Sequence, residues 1–150
     1  MKTKISNDYG WESPDIMHKY SSVWNSKLNF IYKEVDFLTD LLNQNVYPIV
    51  ESHLTKQAEK FIQDLNKLKN EMSDLLKSIR DHKNRVKILF SEGQLGEQKW
   101  AYKHEHRKLM IKMHEFDSKY QNLKKSIFKT VKEALRHQKQ KLLSVARSDE

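Results

Sequence analysis

Apolar residues recur at intervals of three and four along most of this chain, which is the spacing of an amphipathic helix or a coiled coil. The longest row falls in residues 49–91, and it alternates steps of four and three without a slip. His82 is its only polar member. The row predicts one long helix with an apolar seam, made of Leu54, Ala58, Phe61, Leu65, Leu68, Met72, Leu75, Ile79, His82, Val86 and Leu89.

A second seam follows over residues 98–146, and its spacing drifts after Ile127. Between the two seams lies SEGQLGEQ, residues 91–98, which holds two of the three glycines and therefore predicts a helix stop and a turn. The second seam predicts another long helix, made of Tyr102, His106, Leu109, Met113, Phe116, Tyr120, Leu123, Ile127, Val131, Ala134, Gln138 and Leu142.

Residues 14–44 predict a first helix with a wider apolar face. Ser13 is a good N-cap, Pro14 suits the first helical position, and Pro48 disfavours helix at the residue before it. We expect this helix to lie in a groove between the other two, because its apolar face is too broad for one partner. The core of the face is Met17, Trp24, Leu28, Ile31, Val35, Leu38 and Leu42, and Val23, Phe30 and Phe37 widen it.

Three helices with short connections predict an all-α fold, an elongated antiparallel three-helix bundle or coiled coil. We expect a single helical-bundle domain over residues 1–150, with a flexible N-terminal tail (1–12) and a short C-terminal tail (147–150). The alternative is a bundle completed by a second chain, since long heptad seams favour oligomers.

Charge and composition narrow the function classes. Residues 1–97 carry 14 basic and 14 acidic side chains, whereas residues 98–150 carry 14 basic and 6 acidic ones, so the net charge of +8 lies in the last third. The absence of cysteine excludes disulfides and thiolate metal sites. The first residues lack the apolar core of a secretory signal, and no apolar run approaches the ~20 residues of a membrane span. We therefore expect a soluble, cytoplasmic protein.

A row of cations follows the third predicted helix in steps of four, three, four and three, roughly opposite the apolar seam. Lys124 lies beside it, and Glu133 is the one acid in this stretch. Such a row is either a solvated face or a binding surface for a polyanion, which could be nucleic acid, anionic lipid or an acidic partner. The row is Lys125, Lys129, Lys132, Arg136 and Lys139.

The segment KHEHRKLMIKMHEF, residues 103–116, raises the question of a metal site because it holds three histidines. At about 100° per residue, His104 lies about 200° from His106 and His114 about 80° from it, so the three cannot bind one ion together. Antiparallel pairing about a turn near residues 94–95 places His82 and His106 in one layer. Two histidines are fewer than the three or four ligands of a zinc site, and a carboxylate such as Glu12 would have to join them.

Three hypotheses for His82 and His106 remain open. The first is that they fix the register of helix pairing, as polar residues in long seams do. The second is a response to pH, because two facing histidines resist double protonation. The third is a metal-binding bundle that uses His82 and His106. The first is favoured, and we expect no cofactor.

The hairpin end presents apolar side chains that the shorter first helix does not reach. Trp11 of the N-terminal tail could cover them. Otherwise a second copy of the chain or a partner protein would cover these side chains, since exposed apolar patches mark interaction sites. The side chains concerned are Val86, Leu89, Phe90, Trp100 and Tyr102.

No catalytic constellation is visible in the sequence. It has no glycine-rich phosphate loop, no cysteine nucleophile and no paired-carboxylate motif. We therefore expect a non-enzymatic interaction or scaffold module that binds another protein, or itself, through the hairpin end. The alternatives are polyanion binding through the basic face of the third helix and metal binding through the two seam histidines.

Overall fold

The computed structural model describes residues 14–92 and 97–148, and side-chain burial is described for residues 16–85, 87–88 and 100–147. Within these ranges only Asn45 and residues 52–54 lie outside a helix, and there is no strand. The expected all-α bundle is confirmed. Its elements are α1 (Pro14–Gln44), α2 (Val46–Glu51), α3 (Thr55–Glu92) and α4 (Glu97–Ser148).

The break expected before Pro48 is confined to Asn45, because α2 begins at Val46 and includes Pro48. The predicted helix over residues 49–91 is instead divided into α2 and α3 by a left-handed turn at His53, whose φ is 59°. The amide of His53 donates to the carbonyl of Val50 at 3.1 Å, and the amide of Leu54 donates to that of Ile49 at 3.0 Å. These two bonds form the Schellman pattern that ends many helices. Ile49 and Leu54 are both buried, which is the apolar contact that accompanies this motif.

The helices form two compact units. The first contains Met1–Ile31 and Glu71–Asp117, and the second contains Tyr32–Asn70 and Ser118–Glu150. The core of the first unit joins α1, α3 and α4, and an ion pair of 3.3 Å between Lys27 and Asp117 lies beside it. Its buried side chains follow the predicted seams: Met17, Trp24, Leu28, Ile31, Met72, Leu75, Ile79, Tyr102, Leu109, Met113 and Phe116.

In the second unit α1 and α4 run in the same direction. Lys124 reaches Glu34 at 3.0 Å and Lys141 reaches Glu51 at 2.7 Å, and both pairs join residues 90 positions apart. Tyr120 is fully buried and donates its hydroxyl to Glu34. The core of this unit is Val35, Leu38, Leu42, Ile49, Leu54, Leu65, Leu68, Tyr120, Ile127, Val131 and Ala134.

The expected wide buried face of α1 is wrong. Val23, Phe30 and Phe37 are 61%, 62% and 54% exposed. Each of these residues is next in sequence to a buried seam residue and is therefore rotated from it by about 100° around the helix axis. Because α3 and α4 contact only one arc of α1, this rotation leaves the three side chains exposed. The seam of α4 also ends earlier than the pattern implied, because Leu142 is 65% exposed.

Candidate functional site

A hydrogen-bonded chain of four side chains crosses from α3 to α4 in the first unit. Nε2 of His82 lies 3.0 Å from Nδ1 of His106, and Nδ1 of His82 lies 2.6 Å from Oε1 of Glu105. Arg85 donates from Nε to the same carboxylate oxygen at 3.0 Å, and its Nη2 donates to the other oxygen. The shared layer predicted for His82 and His106 is therefore confirmed.

The partners decide which nitrogens carry protons when both rings are neutral. The carboxylate of Glu105 accepts, so Nδ1 of His82 carries the proton and its Nε2 is an acceptor. Nδ1 of His106 then donates to that acceptor. This leaves Nε2 of His106 buried and without a hydrogen-bond partner in the described part of the chain.

Aromatic rings enclose the pair on both sides. The ring of Tyr102 stacks on His82 with centroids 4.0 Å apart and planes 4° apart. The ring of Trp24 covers His106 at 4.8 Å, and Tyr20 lies beyond it at 6.0 Å. Both histidines are fully or almost fully buried. Solvent does not reach either imidazole, so the charged form of each ring is disfavoured.

Burial sets the protonation state of this layer. It lowers the pKa of His82, although the Glu105 carboxylate offsets part of the effect. Burial, together with the facing His82, lowers the pKa of His106 to about 4. Burial alone would raise the pKa of Glu105, but hydrogen bonds from Arg85 and His82 outweigh it and hold that pKa below its usual value.

Glu105 and Arg85 are the members of this chain that the sequence reasoning missed. The carboxylate expected to approach the histidines was Glu12, which lies outside the described residues. The signal in the sequence was weak: Glu105 directly precedes His106, and Arg85 follows His82 by three positions, so both lie near the layer of the two histidines.

The arrangement favours a structural role for the histidines over metal binding. Both ring nitrogens of His82 are engaged, so only Nε2 of His106 is left as a ligand atom. No group of three or more histidine, aspartate or glutamate side chains with metal-site spacing occurs in residues 14–92 and 97–148. His104 and His114 are exposed and lie away from the pair.

The hairpin-end residues divide between core and surface. Tyr102 is 3% exposed because it stacks on His82, whereas Trp100 is 68% exposed with the ammonium of Lys103 5.0 Å from its ring centre. The side chains of Val86, Leu89 and Phe90, and the whole of Trp11, lie outside the described residues. Partner binding at this end stays a prediction, and Trp100 is its exposed member.

A different apolar surface lies on α1. Ile16, Val23 and Phe30 recur every seven residues and are 40%, 61% and 62% exposed. We call these three residues the α1 row. A shallow depression is lined by Val23 and Phe30 of this row together with four polar or basic residues, Lys19, Ser22, Ser26 and Lys27.

The cations predicted on the third helix form an exposed row on α4 in the second unit. We call it the basic row: Lys125, Lys129, Lys132, Arg136 and Lys139. None of the five forms an ion pair within the described ranges. Lys124, beside the row, is bound instead to Glu34.

Comparison with known proteins adds no further assignment, because no family model, curated protein or solved structure matches this chain. None of the helices in the described ranges combines the length and apolar character needed to cross a membrane.

Proposed function

We propose that this protein is a non-enzymatic helical interaction module that binds an amphipathic helix of another protein through the α1 row. The observation that carries the proposal is the exposure of Ile16, Val23 and Phe30 on one face of a helix whose other face is in the core. Side chains that recur every seven residues match the contact repeat of a docked helix.

The α1 row offers an apolar anchor for a docked helix. Phe30 is the natural centre, because an aromatic side chain buries about 150–250 Å² when a partner covers it. Interfaces concentrate their binding energy in such anchors. The exposed row therefore provides a hydrophobic centre, and the residues lining the depression provide a polar rim.

The rim indicates the chemistry of the partner. Lys19 and Lys27 border the depression. Lys19 is exposed, and Lys27 forms the ion pair with Asp117 described above, so Lys19 is the main positive charge of this rim. A second copy of the chain placed row against row would add the Lys19 of the second copy to the same basic rim and would bring no acidic side chain of the α1 row to it. An amphipathic helix with acidic residues beside its apolar face is complementary instead.

The test is a photo-crosslinking amino acid placed at Phe30 in the native host. We expect a discrete adduct, and the captured protein, once purified, should bind the wild-type chain directly. Binding should weaken at least about tenfold in Val23→Ser/Phe30→Ser, because both contacts lie at the centre of the interface. Calorimetric titration measures this change.

The matched control is Met110→Ser/Ile111→Ser, which removes two exposed apolar side chains from α4 and should leave the affinity unchanged. The proposal fails if the captured protein binds both double variants equally. It also fails if the adduct is a second copy of this chain.

Polyanion binding through the basic row is a second candidate. It is supported by five exposed cations that form no ion pair with the described residues, and by nine basic residues against one acidic residue over positions 118–148. Contacts of this kind reach phosphate or sulfate groups and carry little sequence selectivity.

Charge reversal tests the second candidate. Lys129→Glu/Lys132→Glu/Arg136→Glu should elute from immobilised heparin at much lower salt than wild type, with nearly unchanged melting because the side chains are exposed. Each lost phosphate-like contact should reduce the log–log salt slope by about 0.7–0.9. The control, Lys67→Glu/Lys77→Glu/Arg80→Glu, makes the same charge change on α3. If both variants elute alike, only net charge matters and the basic row is a solvated face.

A further inference from the structure

We propose that α4 docks on the surface of an anionic lipid bilayer, with the basic row on the lipid headgroups and a neighbouring apolar row inserted between them. The proposal rests on the polyanion-binding candidate and names its target. The apolar row is Phe128, Leu135 and Leu142, which are 44%, 44% and 65% exposed.

The two rows lie side by side on one helix. Phe128, Leu135 and Leu142 recur every seven residues, and Lys132 and Lys139 follow the first two by four positions. At about 100° per residue, each of these cations lies only about 40° round the helix from its apolar neighbour. The buried residues Ile127 and Ala134 lie on the other side of the apolar row.

The end of the second unit enlarges this surface. Residues 139–147 of α4 are all exposed, including Leu143 and Val145, which are 52% and 53% exposed. The ion pair between Lys141 and Glu51 joins α4 to α2 at this end. There α2 presents Tyr47, which is 74% exposed, and two half-exposed valines, Val46 and Val50.

A bilayer surface would contact both the basic row and the apolar row, whereas nucleic acid would contact only the basic row. Phosphate backbones are contacted by cations and polar groups, and an apolar row gains nothing from them. A membrane surface attracts lysine and arginine electrostatically and also accepts leucine and phenylalanine at the boundary between headgroups and acyl chains. Tyrosine suits that boundary too, because its ring is apolar and its hydroxyl is polar.

The experiment is sedimentation of the full chain with vesicles of phosphatidylserine and phosphatidylcholine, with pure phosphatidylcholine vesicles and duplex DNA as parallel probes. Wild type should bind the mixed vesicles and not the pure phosphatidylcholine.

Lys129→Glu/Lys132→Glu/Arg136→Glu should lose this binding, and the matched α3 triple variant should keep most of it. Phe128→Ser/Leu135→Ser should weaken it at least about tenfold, because the buried apolar area is lost. Met110→Ser/Ile111→Ser should bind as wild type does.

A fluorescence readout follows insertion directly. The emission of Leu142→Trp should move to shorter wavelength, relative to wild type, on mixed vesicles and not on duplex DNA. Binding to DNA or heparin without binding to mixed vesicles overturns the bilayer proposal and leaves polyanion binding standing. Binding to none of them overturns both. Equal vesicle binding by Phe128→Ser/Leu135→Ser and wild type reduces the contact to electrostatic adsorption and refutes insertion.

Discussion

Acidification from pH 6.5 to pH 4.5 should destabilise the wild-type protein much more than the variant His82→Leu/His106→Leu. Burial holds the pKa of His106 at about 4 in the folded protein, whereas the pKa of a histidine in the unfolded chain is ~6.5. The full difference corresponds to roughly 3 kcal/mol of unfolding free energy for His106. Urea denaturation across this pH range measures the change.

The sign follows from proton uptake. Between the two pKa values of His106, the unfolded chain binds more protons than the folded one. The free energy of unfolding therefore falls as the pH falls. The stabilisation is fully present above about pH 6.5 and is lost as pH falls toward about 4. The lowered pKa of His82 acts in the same direction. The hydrogen bonds from Arg85 and His82 hold the pKa of Glu105 below its usual value, so its pairing with Arg85 is lost only as pH falls below the usual range of a glutamate. The double variant keeps both Glu105 and Arg85.

The single variant His82→Leu separates the effect of the hydrogen bond between the two histidines from the effect of their protonation. At pH 7.5, His82→Leu leaves the Nδ1 proton of His106 buried without its acceptor, which should cost about 1–3 kcal/mol. The double variant removes both polar partners and should be closer to wild type than that single variant. His104→Leu, an exposed change on α4, should leave the pH profile unaltered. Identical pH profiles for wild type and the double variant would disprove the role of the pair.

The heptad rows predicted most of the fold because a buried seam leaves a direct trace in the sequence. Leu65, Leu68 and Met72 appear in the core where the three-four spacing places them. The pairing of His82 with His106 was also predictable, since a hairpin turn fixes the register of two regular helices.

Other features were less accessible because the pattern does not record them. The break after α2 depends on one residue, His53, in a left-handed conformation that a histidine adopts only at some cost. The exposed side of α1 was misassigned because apolar spacing cannot say how wide an arc the neighbouring helices cover. The apolar row beside the cations of α4 became visible only when Phe128 and Leu135 proved to be outside the core.

Leu28→Ala should destabilise the protein more than Phe30→Ala does, although leucine is the smaller side chain. Leu28 is fully buried and Phe30 is 62% exposed, although the two lie two residues apart on α1. Leu28→Ala opens a cavity among α1, α3 and α4 and should cost about 2–5 kcal/mol. Phe30→Ala removes a larger side chain yet should stay within about 0.5 kcal/mol, because an exposed side chain loses little packing.

Denaturant unfolding with an unchanged slope measures both effects, and repeating it at several protein concentrations detects association. A cost for Phe30→Ala comparable to that of Leu28→Ala, independent of concentration, would mean that the chain itself buries Phe30, and the α1 row would then be core. A cost that grows with protein concentration would mean that a second copy covers Phe30. A small, concentration-independent cost leaves Phe30 available to the acidic-flanked helix that we propose as its partner, since stability would then place no constraint on this side chain.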